Sequence, residues 1–179
     1  QRHGTPNGAC LDMTARTYAP PRAPNDYVLG YAGAEHDRLI RQATLLAPIT
    51  ERFFREVGLT PGQRVLDLGS GMGDVAMAAA RLVGPSGEVV GLERDAKSMA
   101  RATSRVAAAG FRNVRFTHAD VNDVVSDGPF DAAVGRFILM YVPDPLSVLR
   151  SVSRSVTPGG VLAFQEVSWI PLLALAAHL

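Results

Sequence analysis

Short apolar segments alternate with helical segments from residue 64 onward, and this alternation constrains the fold more than any other feature of the chain. The apolar segments are rich in valine and lack a polar face, which is typical of strands buried inside a parallel sheet. Strands are predicted at Arg64–Leu68, Glu88–Glu93, Val114–Thr117, Phe130–Gly135 and Val161–Val167. Helices are predicted at Asp74–Val83, Ala96–Ala109 and Asp144–Val156. The pattern predicts an α/β protein with a doubly wound parallel sheet, whose ligands bind at the carboxyl ends of the strands.

Composition excludes several classes of function. The 179 residues carry a net charge of +1, which gives no electrostatic case for binding nucleic acid. No apolar run approaches the roughly 18 residues needed to span a bilayer, and the first residues lack the features of a secretory signal. Cys10 is the single cysteine, so neither an internal disulfide nor a cysteine-based zinc cluster is expected. We therefore expect a cytoplasmic protein with no membrane or nucleic-acid partner.

A glycine-rich turn, Gly69-Ser70-Gly71-Met72-Gly73, follows the first predicted strand and leads into a helix. Glycine lacks a Cβ and lets the backbone approach a ligand closely, while the helix that follows offers unpaired N–H groups and the positive end of its dipole. The dinucleotide pattern G-x-G-x-x-G/A requires a small residue three positions after Gly71, where Asp74 stands. The spacing therefore disfavours a nicotinamide cofactor and fits the pattern D-x-G-x-G-x-G, which begins at Asp67.

With this motif the chain resembles the class I S-adenosylmethionine-dependent methyltransferases, particularly the small-molecule branch that includes the ubiquinone/menaquinone-type enzymes. The resemblance covers about Tyr27 to Trp169. It implies a Rossmann-like sheet of strand order 3-2-1-4-5 with an N-terminal helical cap. It also implies S-adenosylmethionine as the cofactor, S-adenosylhomocysteine as the product and a small molecule as the methyl acceptor.

Composition and the resemblance together divide the chain into three predicted segments. Residues 1–26 form a flexible leader, residues 27–62 form the cap, and residues 63–179 form the S-adenosylmethionine-binding domain. Pro48 is expected to divide the cap into two helices, because proline interrupts a helix interior. The family's full sheet has seven strands, so we expect a sheet truncated after the fifth. An unpaired fifth strand and the apolar residues 169–179 then predict a homodimer formed through this C-terminal edge.

The resemblance assigns cofactor contacts to the strand ends. Glu93 is expected to bind both ribose hydroxyls, because a carboxylate accepts two hydrogen bonds. Asp120 is expected to accept from the adenine amino group, and the backbone of Val121 to meet a ring nitrogen. Arg136 either lines the methyl-donor pocket or pairs with a nearby carboxylate as a structural residue. The full predicted set is Asp67, Gly69, Ser70, Gly71, Gly73, Glu93, Arg94, Asp120, Val121, Arg136, Phe137 and Tyr31.

Methyl transfer from a sulfonium is a direct displacement, so the protein chiefly has to align the two reactants. A general base is needed only if the acceptor carries a proton on the reacting atom. His36, Tyr141 and Glu166 are candidates, and Glu166 is the best placed because it lies at the end of the fifth predicted strand. The principal alternative is a non-catalytic or impaired truncated relative that binds S-adenosylmethionine without turnover, which the missing strands favour. A nicotinamide-dependent oxidoreductase is the least favoured reading.

Overall fold

The computed structural model describes residues 33–123 and 127–168 of the chain. Its helices are α1 (Gly33–Glu56), α2 (Asp74–Val83), α3 (Ala96–Ala108) and α4 (Pro145–Ser153). Its strands are β1 (Arg64–Leu68), β2 (Glu88–Glu93), β3 (Val114–His118), β4 (Phe130–Arg136) and β5 (Val156–Gln165), and a short 3₁₀ helix covers Leu139–Tyr141. The predicted leader at 1–26, Tyr31 and the apolar residues 169–179 lie outside the described residues.

The described strands form one parallel sheet in the order β3-β2-β1-β4-β5, which confirms the predicted fold class. β1 lies at the centre, where Leu68 pairs with Leu92 of β2 on one side and with Gly135 of β4 on the other. The last residues of these three strands therefore lie side by side at the carboxyl edge of the sheet. In open α/β sheets this edge is where ligands bind.

Each face of the sheet carries an apolar layer, because successive strand residues point to opposite faces. Val65 of β1 joins the layer that packs against α1 and α2. Leu66 joins the layer on the other face, which α4 covers through Val148 and Val152. β1 is thus buried on both faces, in agreement with its apolar sequence.

The prediction that Pro48 separates two helices is wrong, because α1 continues through it as a single helix. A proline in a helix interior removes one backbone hydrogen bond and usually costs about 3 kcal/mol. In α1, buried side chains anchor the helix on both sides of the proline: Ala43 precedes it, and Thr50 and Phe54 follow it. Packing of both halves, chiefly against α2, keeps them in one helix.

The predicted bounds of α4 are too wide. Asp144 precedes the helix as its N-terminal cap, where its carboxylate accepts a hydrogen bond from the Ser147 N–H at 3.0 Å. The helix ends at Ser153 rather than Val156, because Val156 already pairs with Phe130 in the sheet.

The predicted bounds of the fifth strand, Val161–Val167, are also wrong. β5 begins at Val156, and its pairing with β4 then jumps to Val161 opposite Ala132. Residues 157–160 lie between these two pairs and form a bulge in β5, in which Gly159 has a φ of 84°. The other predicted strands and helices after residue 63 agree with the structure to within one residue at each end. Among the described residues, no helix combines the length and the apolar character that crossing a bilayer requires.

Candidate functional site

A cavity of about 320 Å³ lies at the carboxyl edge of the sheet, within the size range of small-molecule sites. It is lined by the glycine turn after β1, by the ends of β2 and β4, and by the loops that follow β3 and β4. Arg38, Leu39 and Gln42 of α1 also line it. One cavity therefore takes residues from both the predicted cap and the predicted sheet domain.

The glycines of the turn have different surroundings. A Cβ on Gly69 would lie 2.5 Å from Ile138 Cδ1, so this glycine lets the loop after β4 pack against the turn. A Cβ on Gly73 would lie 3.2 Å from Phe116 Cζ, and Gly73 packs against this ring instead of lining the cavity. Gly71 does line the cavity, and its Cβ would meet no protein atom closer than 3.9 Å. Gly71 is therefore the position where a side chain would occupy ligand space.

Glu93, at the end of β2, places a buried carboxylate on the cavity wall beside the turn. Its Oε2 accepts a hydrogen bond from the Gly71 N–H at 2.7 Å, and its Oε1 accepts one from the Asp95 N–H at 2.8 Å. Ser70 ties the turn to the same strand, since its N–H donates to the Leu92 carbonyl at 2.8 Å. Each oxygen of Glu93 has the capacity for a second hydrogen bond. The carboxylate is thus fixed in place and suits a ligand with two neighbouring hydroxyl groups.

Asp120 and Val121 follow β3 and line the cavity together with Arg94. The Asp120 Oδ1 accepts hydrogen bonds from the Asn122 backbone N–H at 2.9 Å and from its side-chain Nδ2 at 2.6 Å. The Asp120 Oδ2 lies 3.8 Å from Arg94 Nη1. The local turn therefore fixes the carboxylate, and its second oxygen remains an acceptor beside a cation at the cavity wall.

Asp67 is fully buried in β1, behind the cavity rather than on its wall. Neither carboxyl oxygen has a hydrogen-bond partner among the described residues. Burial raises the pKa of Asp67 well above its usual value, while Arg136 lowers this pKa and Glu93 raises it further by smaller amounts. The Ala76 N–H also lowers it slightly, without making a hydrogen bond of normal geometry. The structure brings the predicted contact Asp67 close to the site but not into direct contact with the cavity.

Arg136, at the end of β4, lines the cavity and is also bonded to α1. Its Nη1 donates to the Thr50 hydroxyl at 3.1 Å, and this hydroxyl donates to Gln165 Oε1 at 2.8 Å. Burial lowers the pKa of Arg136, whereas Asp74 and Asp67 raise it. The sequence left two roles open for Arg136. Its position on the cavity wall fits a residue of the methyl-donor pocket, and its hydrogen bond goes to the Thr50 hydroxyl rather than to a carboxylate.

Asp74 and Arg105 form a contact that the sequence did not predict. Arg105 of α3 donates to both carboxylate oxygens of Asp74, at 2.9 and 2.7 Å, and also to the Met72 carbonyl. It therefore ties α3 to the last part of the glycine turn, and Asp74 itself lines the cavity. The two residues lie 31 positions apart, and no local spacing connects them, so the sequence carries no signal for this pair.

Phe137 follows β4 and Glu166 follows β5, and the two residues differ in their relation to the cavity. Phe137 lines the cavity with a φ of 56°, which is uncommon for a residue other than glycine. Glu166 is not on the cavity wall, and its Oε1 accepts hydrogen bonds from the Ile138 and Leu139 N–H groups at 3.0 and 2.9 Å. These contacts favour a structural role for Glu166 over its predicted role as a base.

The remaining predicted residues can be placed only in part. Tyr141 lines the cavity, whereas Tyr31 and the side chain of His36 lie outside the described part of the chain. Within residues 33–123 and 127–168, no group of His, Cys, Asp and Glu side chains is arranged to hold a metal ion.

Known proteins resemble this chain in sequence and in fold. Residues 59–178 match the model of a family described as "Methyltransferase domain". Over 117 residues the chain is 40% identical to an arsenite methyltransferase of Aquipseudomonas alcaligenes, a match that covers 61% of this chain and 34% of the relative. Over 119 residues it is 34% identical to a demethylmenaquinone methyltransferase of Geobacillus kaustophilus, a match that covers 66% of this chain and 51% of the relative.

A solved structure shows the same fold. A SAM-dependent methyltransferase from Aquifex aeolicus superposes with a TM-score of 0.65 at 24% identity, covering 72% of this chain and 69% of that one. At this identity the likeness concerns the fold alone. The chain spans between about a third and a half of the length of the two curated relatives.

Proposed function

The chain belongs to the methyltransferase-domain family, and on this premise we propose that it transfers a methyl group from S-adenosylmethionine to a small-molecule acceptor. Its two curated relatives are named for different molecules, arsenite in one case and demethylmenaquinone in the other. The proposal for this chain therefore stops at the class of acceptor.

The observation that carries the proposal is the carboxylate of Glu93. It is buried at the end of β2, fixed by the N–H groups of Gly71 and Asp95, and each of its oxygens can accept one more hydrogen bond. A ribose offers two neighbouring hydroxyl donors, and charge-assisted hydrogen bonds contribute about 1.5–3 kcal/mol each. The open space at Gly71 lets the ligand lie against the backbone beside this carboxylate.

The remaining cavity residues fit the rest of an adenosine ligand. Asp120 Oδ2 offers an acceptor for the adenine amino group, and Val121 supplies the neighbouring backbone N–H, as the resemblance implies. Arg136 and Phe137 lie at the end of β4, where the resemblance places the methyl-donor pocket. Tyr31 of the predicted cap is proposed as a further contact.

S-adenosylmethionine supplies a methyl group that is already bonded to a positively charged sulfur, so alignment of donor and acceptor is the main requirement of catalysis. Such alignment contributes about 7–11 kcal/mol in well-oriented reactions. In this chain, the apolar side chains of Ile138, Met140 and Val142 line the cavity beside Phe137. Glu93 at the end of β2 and the glycine turn after β1 orient the ligand.

Transfer of a labelled methyl group tests the proposal. Purified protein is incubated with S-adenosylmethionine carrying an isotopically labelled methyl group and with a small-molecule metabolite extract, and the products are separated by mass. The proposal expects label in a metabolite, and heat-treated protein is the control. Calorimetry with S-adenosylhomocysteine and NAD accompanies it, and binding of NAD in place of S-adenosylhomocysteine would contradict the choice of cofactor.

Two further statements belong to this proposal. We expect a homodimer, because β5 is the outer strand of the described sheet and an open edge favours pairing. Light scattering at working concentration checks this, and a monomeric mass contradicts it. We also expect a cytoplasmic location, which fractionation of cells that express the native gene would check.

A further inference from the structure

Gln42 of α1 differs from the other polar side chains that line the cavity, because its amide makes no hydrogen bond within the described residues. Each of the others on the described wall interacts with another part of the chain. Gln42 is half-buried, and its amide offers two N–H donors and a carbonyl acceptor. A polar group that loses its water without gaining a partner costs free energy, so a ligand that covers Gln42 has to supply that partner.

The helix that carries Gln42 is attached to the sheet at the carboxyl ends of β4 and β5. The hydroxyl of Thr50 is hydrogen-bonded to the last residue of each strand, Arg136 and Gln165. Gln42 lies eight residues before Thr50, about 12 Å along the helix. Glu93 ends β2, on the other side of β1, and three strand spacings separate β2 from β5, about 14 Å. The cavity therefore has a β4–β5 end that is distinct from the proposed adenosine end.

The β4–β5 end of the cavity has an apolar wall. Leu39 of α1, Met140 after β4 and Val167 after β5 line it. Met140 is 48% exposed and Val167 is 43% exposed, so a ligand with an apolar surface would gain free energy by covering them. Arg38 is the only charged side chain that α1 and the loops after β4 and β5 contribute to the described wall, and it is exposed and interacts with another residue. This end therefore favours an apolar ligand without a charge of its own.

We propose that the methyl acceptor binds at this end, that it is a largely apolar molecule with a neutral hydroxyl or carbonyl group, and that Gln42 hydrogen-bonds this group; the inference rests on the proposed function. A hydroxyl or carbonyl oxygen pairs with an amide and needs no counter-charge. Apolar contacts with Leu39 and Met140 leave the rotation of such a molecule free, whereas one directional hydrogen bond fixes it. Gln42 is thus a specificity-determining residue that orients the acceptor toward the methyl group.

Labelled methyl transfer with separated product phases tests the class of acceptor. Purified protein is incubated with S-adenosylmethionine that carries a labelled methyl group and with a small-molecule extract of cells that carry the native gene. The products are partitioned between ethyl acetate and neutral water, with heat-treated protein as the control. We expect the label in a product that dissolves in ethyl acetate. Label only in a water-soluble product would overturn the inference and leave the proposed function standing, whereas no labelled product would overturn both.

Gln42→Met tests the hydrogen bond, because methionine keeps the approximate length of the side chain and removes the amide. Transfer rates over a dilution series of the extract give the extract concentration at half-maximal rate. We expect Gln42→Met to raise this concentration about tenfold and to leave the affinity for S-adenosylhomocysteine, measured by calorimetry, within about twofold of wild type. Arg41→Met is the matched control, since it places the same side chain at the neighbouring exposed position outside the cavity, and it should change neither value.

Two results for Gln42→Met would overturn the inference. An unchanged half-maximal concentration would mean that the amide does not bind the acceptor, and an equal loss of affinity for S-adenosylhomocysteine would mean that it binds the methyl donor instead. If thermal melting shows Gln42→Met to be unfolded, Gln42→Ala replaces it with the same expected values.

Met140→Ser tests the apolar wall separately, since it removes an apolar contact and leaves Gln42 in place. We expect it to raise the half-maximal concentration about threefold to fivefold at an unchanged affinity for S-adenosylhomocysteine. An unchanged half-maximal concentration would contradict the apolar character of the acceptor.

Discussion

Alanine substitutions at Gly71 and Gly73 separate ligand space from packing space within one turn. Both residues have a positive φ, 51° and 81° respectively, a region that costs other residues about 1–2 kcal/mol. In Gly73→Ala the new methyl group also meets Phe116 Cζ at 3.2 Å and Ala102 Cβ at 3.3 Å. Overpacking of this kind costs a further 1–3 kcal/mol or so. We expect Gly73→Ala to lower the free energy of unfolding by about 2–5 kcal/mol, and Gly71→Ala by about 1–2 kcal/mol.

Ligand binding should show the opposite order. The methyl group of Gly71→Ala enters the cavity, because the nearest protein atom to its Cβ is the Gly69 carbonyl oxygen at 3.9 Å. We expect its affinity for S-adenosylhomocysteine to fall more than tenfold. Gly73→Ala does not place an atom in the cavity, so the folded variant should bind within about fivefold of wild type.

Urea unfolding followed by circular dichroism gives the stabilities, and calorimetry gives the affinities. Gly110→Ala is the matched control, since Gly110 has a φ of 80° and its Cβ would meet nothing within 4 Å. The difference between Gly73→Ala and Gly110→Ala therefore measures the packing cost alone. The reasoning is refuted if these two variants are equally stable, or if Gly71→Ala binds the ligand as tightly as wild type.

Three further predictions concern charged residues. Hydrogen bonds from Arg64, and to a smaller extent from Arg115, hold the pKa of Glu88 below its usual value of 4.5. Ionised Glu88 therefore stabilises the fold fully above the pKa that Glu88 has in the unfolded chain, and this stabilisation is lost as the pH falls. Glu88→Gln should therefore flatten the acid limb of the stability curve, measured as urea midpoints from about pH 7 to 3; an unchanged limb contradicts this. Arg105→Gln should lower the free energy of unfolding by about 1–3 kcal/mol and weaken binding of S-adenosylhomocysteine, and unchanged values in both assays would count against its role. Glu166→Gln keeps an oxygen acceptor for its two backbone donors and should leave kcat near wild type, whereas a loss of about 100-fold with unchanged binding would restore Glu166 as a general base.

Much of the sheet follows from local sequence. β1 and β2 are short and apolar on both faces, and glycine or proline ends the segments beside them, so their bounds could be predicted to the residue. The location of the site at the strand ends could also be predicted from the sequence, because parallel strands bring their carboxyl ends to one edge of the sheet. Glu93, at the end of β2, and Asp120, after β3, were assigned as cofactor contacts by the family resemblance, and both line the cavity.

Features that depend on distant packing could not be predicted. Pro48 indicates a helix boundary locally, but the buried side chains of Thr50 and Phe54 keep the helix continuous. β5 begins at Val156, before its predicted start, because Val156 pairs with Phe130 in the sheet. The sequence near Val156 contains no pattern that indicates this pairing. The bonds from Arg105 to Asp74 and from Arg136 to Thr50 likewise join residues that are far apart in the chain.

The most direct test of the central claim is the affinity of Glu93→Gln for S-adenosylhomocysteine, measured by calorimetry beside wild type. Glutamine keeps the size of the side chain but removes the charge and one acceptor oxygen, so we expect an approximately 100-fold loss, about 2.7 kcal/mol. Glu56→Gln is the control, since Glu56 is an exposed carboxylate on α1 outside the cavity, and it should bind as wild type does. Thermal melting confirms that both variants are folded. A Glu93→Gln protein that is folded and binds S-adenosylhomocysteine as tightly as wild type would contradict the account of this cavity as an adenosine site.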